Sequence, residues 1–300
     1  MNELGKISKI QHFSLGDGPG IRTTVFLQGC NLRCPWCHNP ETVSFQGSHL
    51  CYEMKCSVCG LCAAACSQKA ISVQGSQRIV NQELCVFCGM CENVCPQNAV
   101  LISGKEVTHE FVFEEIMKDF AFYDPSGGGV TFSGGEPLIQ ADFVSVVARL
   151  CKENGIHTIV DTAGCVPFAN FEKIMPYTDK FFYDIKACDA EQFRKVCGGD
   201  FSLVLSNLTK LAECADVTVR MPVIPGYNDH PDYMDACGRM LAACGVKRAD
   251  LIPFHRMGSS KYQALGMCYV YDRVKPPEDT RMETLRETVE KYAIVCNVER

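Results

Sequence analysis

The stretch at 28–41, QGCNLRCPWCHNPE, carries Cys30, Cys34 and Cys37 at the spacing C-x3-C-x2-C, with no fourth cysteine after them. Thiols this close in sequence are metal ligands in waiting. A structural zinc site or an ordinary cubane would close with four protein ligands. Three leave one position to something that is not the protein, and the spacing poses the question of what fills it.

Two further cysteine groups are copies of each other, CSVCGLCAAACSQKAI at 56–71 and CVFCGMCENVCPQNAV at 85–100. They match cysteine for cysteine, and again at Gly60/Gly89, Ala70/Ala99 and Ile71/Val100. Each holds C-x2-C-x2-C-x3-C, the run that wraps [4Fe–4S] clusters in bacterial two-cluster ferredoxins, where the fourth cysteine serves the other cluster. That rule puts Cys56, Cys59, Cys62 and Cys95 on one cluster and Cys85, Cys88, Cys91 and Cys66 on the second. A pair of zinc knuckles would need only paired C-x2-C units and would leave the order of four unexplained. The first copy ends Cys66-Ser67 where the second keeps Cys95-Pro96; the proline constrains backbone and is not a ligand, so the assignment stands. Of the ten remaining cysteines, most, such as Cys151, Cys165, Cys237 and Cys244, are expected to be small core residues. Cys51, beside the repeat, is the exception to watch.

The bulk composition limits what surrounds these groups. The chain has 300 residues, 47% of them hydrophobic, enough for one sizeable barrel or two smaller domains. A net charge of -6 and a pI near 5.7 argue against nucleic acid as a partner. No apolar run reaches signal-peptide or membrane-span length, so a cytoplasmic protein with no membrane partner is expected. Twenty-one cysteines in a reducing compartment point to metal ligation, since disulfides do not persist there.

Outside 51–104 the pattern alternates between strands and helices. Apolar runs rich in β-branched and aromatic residues lie at 23–28, 129–133, 157–161, 180–185, 217–223 and 249–254, with amphipathic helical segments at 140–155 and 230–245 between them. Strands separated by helices build a parallel sheet. Six units are too few for an eight-stranded barrel. The expected fold is therefore α/β: a partial (β/α)6 TIM-like barrel in 1–50 and 105–300, with a ferredoxin-like two-cluster domain at 51–104 inserted after the first strand. An open doubly wound sheet is the second choice, and a final helix at 278–294 should pack outside.

In such folds the reactive groups gather at the carboxyl ends of the strands. Here those ends carry the Cys30 group, SGGEP (133–137), Asp161-Thr162, Asp184-Ile185-Lys186, Arg220 before PVIPG (222–226), and His255. Singly, each has an ordinary explanation: a strand-end acid caps a helix, a lysine is solvated, a histidine sits in a loop, and a glycine pair makes a turn. Their arrival at one mouth favours a common purpose.

These residues resemble the radical S-adenosylmethionine enzymes, and within them the activating enzymes of glycyl radical enzymes. The likeness lies in C-x3-C-x2-C with Trp36 before its last cysteine, in DGPGIRTTVFLQGCNLRCPWCHNPE (17–41), GGVTFSGGEPL (128–138), DTAG (161–164), YDIK (183–186), VRMPVIPG (219–226) and LIPFHRMGSSKY (251–262). It covers nearly the whole chain, and the two-cluster insertion resembles the longer branch of that family. The resemblance implies a [4Fe–4S] cluster on Cys30, Cys34 and Cys37 whose fourth iron chelates S-adenosylmethionine. Reductive cleavage would give methionine and a 5′-deoxyadenosyl radical, which takes a hydrogen atom from a glycine in the C-terminal loop of a partner glycyl radical enzyme. With the insertion this makes three clusters, fed by flavodoxin or ferredoxin, in an expected monomer.

Carried onto this sequence, the resemblance puts Gly134, Gly135 and Glu136 at the methionine amino group and Trp36 and His38 near the adenine. Lys186, Arg220 and His255 become polar contacts to the cosubstrate. Asp161, Thr162, Asp184 and the Ile185 carbonyl match a monovalent cation site in a relative. Asp17 and Arg22 match positions that receive the partner's glycine loop, although Asp-Gly-Pro-Gly also makes an ordinary turn. The inserted clusters could relay electrons or serve docking and structure. Two competing functions remain: radical chemistry on a small molecule or another peptide, and simple electron transfer.

Overall fold

The computed structural model describes residues 4–299; residues 1–3 and 300, within the sequence-based outer domain limits, lie outside the described residues. Strand β1 (Leu4–Ser14) runs antiparallel to β2 (Arg22–Leu27). After β2 the chain enters the insertion, with β3 (Ser48–Cys51), the hairpin β4 (Ile71–Gln74) and β5 (Gln77–Val80), and β6 (Val100–Ser103). It returns through β7 (Lys105–Thr108) to β8 (Gly129–Gly134), β9 (Thr158–Thr162), β10 (Lys180–Asp184), β11 (Val217–Val223), β12 (Arg248–Pro253) and β13 (Val295–Val298).

One nine-stranded sheet has the order β13-β12-β11-β10-β9-β8-β2-β1-β7. Strands β2 and β8 to β13 are mutually parallel, while β1 and β7 are antiparallel additions at one edge. The six expected parallel strands are present, and the sheet does not close on itself: it is the partial, TIM-like barrel.

Buried β-branched and aromatic residues explain the central strands. Strand β2 is buried along its whole length, and β8 except at its last residue, as parallel strands covered on both faces should be. The helix at Ala141–Glu153 buries Phe143, Val144, Val147, Ala148 and Cys151 at helical spacing, with Asp142 in its first turn and Lys152 in its last, each suited to the helix dipole. Helix Phe201–Cys214 is capped by Asp200, which accepts from the Ser202 and Leu203 amides. The final helix, Asp279–Glu290, is shorter than 278–294 because the chain turns at Ala293 (φ 57°) and adds β13 to the sheet edge.

The insertion hangs from an antiparallel neck in which Ser48 pairs with Ser103 and Cys51 with Val100, so pairing starts three residues ahead of the sequence-based boundary. Its two copies repeat in conformation as well as sequence. Val58 and Phe87 (φ 53° and 52°), Gly60 and Gly89 (78° and 79°), and Lys69 and Asn98 (51° and 47°) are left-handed in register. Its own core is small: Cys62, Ile71, Cys91, Val100 and Ile102. Small segments with so little core usually draw added stability from metals or cross-links. Among the described residues no helix is long and apolar enough to cross a membrane.

Candidate active site

Strand β2 delivers the three-cysteine loop to the mouth of the sheet. Beyond Leu27 the Gly29 amide donates to Thr42 O (2.7 Å) and the Cys30 amide to Val43 O (3.2 Å), while Gln28 Nε2 donates to Glu41 O and Ser44 O. The loop is thus folded back on its own return path. Cys30, Cys34 and Cys37 line a cavity of about 210 Å³ together with Trp36, His38, Gly134, Gly135, Asp161, Asp184, Lys186 and Arg220. With Ile252 and Pro253 of β12 also in the lining, six strand ends converge, as the parallel topology requires.

Burial pushes the thiols of Cys30 and Cys37 up to about 12. Cys34 is also raised, first by its contact with Cys197, whose Sγ lies 3.6 Å away, and then by burial. Desolvated thiols of this kind are inert until a metal ion takes the place of their protons. Cys197, at the end of helix Ala190–Cys197, is buried in the main core and lies against Cys34 but does not line the cavity.

The glycine pair is required by the chain's own packing. A Cβ on Gly134 would overlap the backbone of Leu27, and one on Gly135 the carbonyl of Gly29. The Gly135 amide donates to Leu27 O (2.9 Å) and the Glu136 amide to Gly29 O (2.8 Å). The pair is thus excluded from carrying side chains by the cysteine loop beneath it, which locks the two loops together.

Glu136 is fully buried and does not line the cavity. Its carboxylate accepts from Thr162 Oγ1 (2.7 Å), the Leu138 amide (3.1 Å) and the Ala163 amide (2.8 Å). Burial pushes its pKa up while these three donors oppose the shift. Glu136 braces the β8 and β9 ends. The Thr162 hydroxyl is engaged in donating to Glu136 and accepting from the Gly164 amide. Ile185 is buried with its amide donating to Arg220 O, and its side chain stays outside the lining.

The charged groups face one another across the cavity. Lys186 Nζ lies 2.7 Å from Asp184 Oδ2; burial pulls its ammonium down, yet Asp184 and the Cys34 thiol hold it well above the usual range. Arg220 pairs with Glu299 and lies 4.0 Å from Asp161, over the ring of Phe182. Burial pushes the Asp161 carboxyl up to about 7, with Asp184 adding to the shift. Asp161 Oδ2 accepts from Ser133 Oγ, whereas the buried Oδ1 has no partner. Among the described residues, three carboxylates (Asp161, Asp184 and Glu299) stand against two fixed cations (Lys186 and Arg220), and one acceptor oxygen is left unpartnered.

On the rim, Trp36 packs against Tyr227 (4.9 Å between ring centres), and His38 stacks on His255 (3.9 Å) with Nε2 3.1 Å from the His255 carbonyl. Burial, then His255, pushes His38 down to about 4. His255 supports His38 without lining the cavity. Lys261 Nζ donates to Glu41 Oε1 (2.6 Å) and Asn39 Oδ1 (2.7 Å), tying the segment after β12 to the cysteine loop.

Asp17 and Arg22 lie at the opposite end of the sheet, since Arg22 begins β2 and pairs with Gly129, the first residue of β8. Arg22 has no exposure; Nε donates to Thr131 Oγ1 (2.6 Å) and Nη2 to the Val130 carbonyl. In this chain it braces the loop from within. Half-buried Asp17 accepts from Ser14 Oγ and Thr24 Oγ1. A second cavity, beside Gly16, Gly18 and Pro19, is lined on its far side by Phe182 and Glu299. The Arg220–Glu299 pair thus stands between it and the cysteine mouth.

In the insertion, Cys56, Cys59, Cys62 and Cys95 line one cavity, the grouping the ferredoxin rule gives. The Ala70 and Ala99 amides each lie 3.3 Å from a cysteine sulfur, Cys66 and Cys95 respectively. Cys151, Cys165, Cys237 and Cys244 are buried in the main core as expected. Cys51 lies next to Arg78 and Cys56.

Residues 81–236 match the Radical SAM superfamily and residues 55–100 a 4Fe-4S dicluster domain; the first span begins within the insertion and does not include Cys30, Cys34 and Cys37. The chain is 34% identical to the indoleacetate decarboxylase activating enzyme of Tractidigestivibacter scatoligenes over 98% of each chain. It is 37% identical to the trans-4-hydroxy-L-proline dehydratase activating enzyme of Clostridioides difficile over 97% of each. The backbone is similar to Streptococcus suis SuiB bound to S-adenosylmethionine, with a TM-score of 0.52 at 11% identity over 90% of this chain and 47% of SuiB, a likeness of fold alone.

Proposed function

The chain belongs to the activating enzymes of glycyl radical enzymes, a branch of the radical S-adenosylmethionine superfamily, and from that premise we propose how its residues divide the work. Cys30, Cys34 and Cys37 would hold a [4Fe–4S] cluster, and the chemistry such a cluster would supply is one-electron reductive cleavage of S-adenosylmethionine, by which a hydrogen atom would be taken from a glycine of the partner enzyme. Every other requirement falls to side chains and backbone.

Arg220 and Lys186 offer fixed positive charge to the methionine carboxylate, where charge-assisted hydrogen bonds are strongest. Gly134 and Gly135 present backbone to the amino group, and Trp36 and His38 form the adenine side of the cavity. The neutral state of buried His38 suits a hydrogen-bonding role without added charge. A monovalent cation at Asp161 and Asp184 is supported by the unpartnered Asp161 Oδ1 and the excess of carboxylates around it. The partner's glycine segment would reach the mouth through the cavity beside Gly16 and Pro19, displacing Glu299 from Arg220. The two four-cysteine sets are assigned one [4Fe–4S] cluster each, making three, and flavodoxin or ferredoxin is the fitting donor to a monomeric, cytoplasmic protein.

The observation that carries this reading is the set of three partly buried thiols facing the Gly134–Gly135 backbone and the Lys186 and Arg220 cations across one cavity. The test mixes the reduced, anaerobic protein with S-adenosylmethionine and follows 5′-deoxyadenosine by chromatography. Wild type should form it and Cys34→Ala should not; a wild type that forms none would leave only an electron carrier.

A further inference from the structure

Two side chains lie between the four-cysteine sets without belonging to either copy of the repeat. Arg78 leaves β5, in the hairpin that joins the copies, and His49 leaves β3, the strand leading into the insertion. Arg78 Nε donates to Cys62 Sγ at 3.3 Å, and its Nη2 lies 2.7 Å from His49 Nε2. A guanidinium has only donors, so His49 accepts. The same His49 nitrogen is 3.5 Å from Cys91 Sγ. Cys62 and Cys91 are equivalent positions of the repeat and the buried cysteine of each run. His49 is itself 3% exposed, so the link is enclosed.

The copies match cysteine for cysteine, so their sequence alone gives two near-identical metal sites. Arg78 breaks that equivalence: it donates directly to the sulfur of Cys62, whereas His49, which accepts from it, stands between it and Cys91. We infer that Arg78 is a positioning residue that sets the reduction potentials of the two inserted clusters apart, raising most the one held by Cys56, Cys59, Cys62 and Cys95. The inference rests on the proposed assignment of a [4Fe–4S] cluster to each set.

The physical argument concerns charge. One-electron reduction by an external low-potential donor adds a negative charge to the cluster and changes no covalent bond. Net charge, hydrogen bonds to the sulfurs and exposure set the potential. An N–H aimed at a ligand sulfur and a permanent positive charge both favour the reduced state, and a guanidinium stays charged at every working pH. The effect must be largest at the sulfur that receives the bond. Unequal potentials in otherwise equivalent clusters would give electron transfer through the insertion a direction.

The test is a redox titration of the reconstituted full-length protein followed by electron paramagnetic resonance, with iron content measured on the same samples. In Arg78→Gln, at full iron content, one inserted cluster should move to lower potential. Its reduced-to-oxidised ratio at the wild-type midpoint should fall about tenfold, which is about 59 mV for one electron, and the other cluster should move less. Arg78→Lys, which keeps the charge and loses the fixed geometry, should recover most of the shift. Unchanged midpoints, or equal shifts of both clusters, overturn the inference. Should the Gln variant fail to hold its clusters, the Lys variant decides, because a small downward shift of one cluster is still required of it. A wild type with about four irons in place of about twelve removes the cluster assignment itself, an outcome distinct from full clusters with unmoved potentials.

Discussion

Glu136→Gln separates a brace from a ligand contact, and the structure gives its size. The carboxylate is without exposure and surrounded by three donors: the Thr162 hydroxyl and Leu138 amide on one oxygen and the Ala163 amide on the other. Glutamine has nearly the same shape but only one acceptor oxygen, so whichever way its amide turns, the NH2 meets a backbone N–H. Losing a hydrogen bond to a charged group costs about 1.5–3 kcal/mol, and a buried unsatisfied donor about 1–3 kcal/mol. Burial already pushes the Glu136 carboxyl up, so a neutral side chain recovers part of that desolvation. A net loss of roughly 2–3 kcal/mol follows. At about 2–4 °C per kcal/mol, this is a fall in Tm of about 4–12 °C. Anaerobic calorimetry without S-adenosylmethionine measures it, and titration with S-adenosylmethionine measures binding alongside. A variant of wild-type Tm that no longer binds S-adenosylmethionine would refute the brace and restore Glu136 as a direct contact.

Three further outcomes follow from the same geometry. Cys197→Ala removes the thiol 3.6 Å from Cys34; iron at the three-cysteine site should be retained with a lowered midpoint potential, whereas loss of that iron in chemical analysis would make Cys197 a ligand. Asp161 has a folded pKa near 7, above the usual value of about 3.9. Its stability contribution in the ligand-free protein is therefore full below about pH 4 and lost as pH rises through about 7; Tm measured across that window should lose this slope in Asp161→Asn, and an unchanged slope would contradict the assignment. Replacing Cys59 and Cys88 by Ala while keeping Cys30, Cys34 and Cys37 should abolish activation driven by flavodoxin or ferredoxin but spare 5′-deoxyadenosine formation with dithionite, and full activity with the protein donor would end the relay.

The parallel strands were legible because residues covered on both faces must be apolar; the run at 217–223 coincides with β11. The cysteine sets were legible because three ligands of each cluster lie close in sequence on one short loop, and the fourth follows from the repeat. Strand β1 escaped notice because Lys6, Lys9, Gln11 and His12 interrupt any alternation, and its place is fixed by pairing with β2 and β7 instead. Strand β13 is four residues long and follows a helix with no glycine or proline stop.

At the site, residue types were readable but directions were not. Nothing in SGGEP says that Glu136 turns inward to Thr162 and Ala163, or that Arg22 is consumed by Thr131 and Val130. Cys197 and Lys261 contact the cysteine loop from more than 160 residues away. Such partners are set by packing, and short-range spacing holds no record of them. Arg78 is similar: it stands outside both copies of the repeat, so the very regularity that exposed the clusters concealed it.

The most direct test of the central claim is transfer of the hydrogen atom itself. A candidate glycyl radical enzyme, such as one encoded beside this chain, is prepared with deuterium at its glycine α-carbons and treated with the reduced protein and S-adenosylmethionine. The account predicts 5′-deoxyadenosine carrying deuterium, together with a glycyl radical signal on the partner. Unlabelled 5′-deoxyadenosine beside a silent partner, for every candidate encoded with this chain, would contradict it.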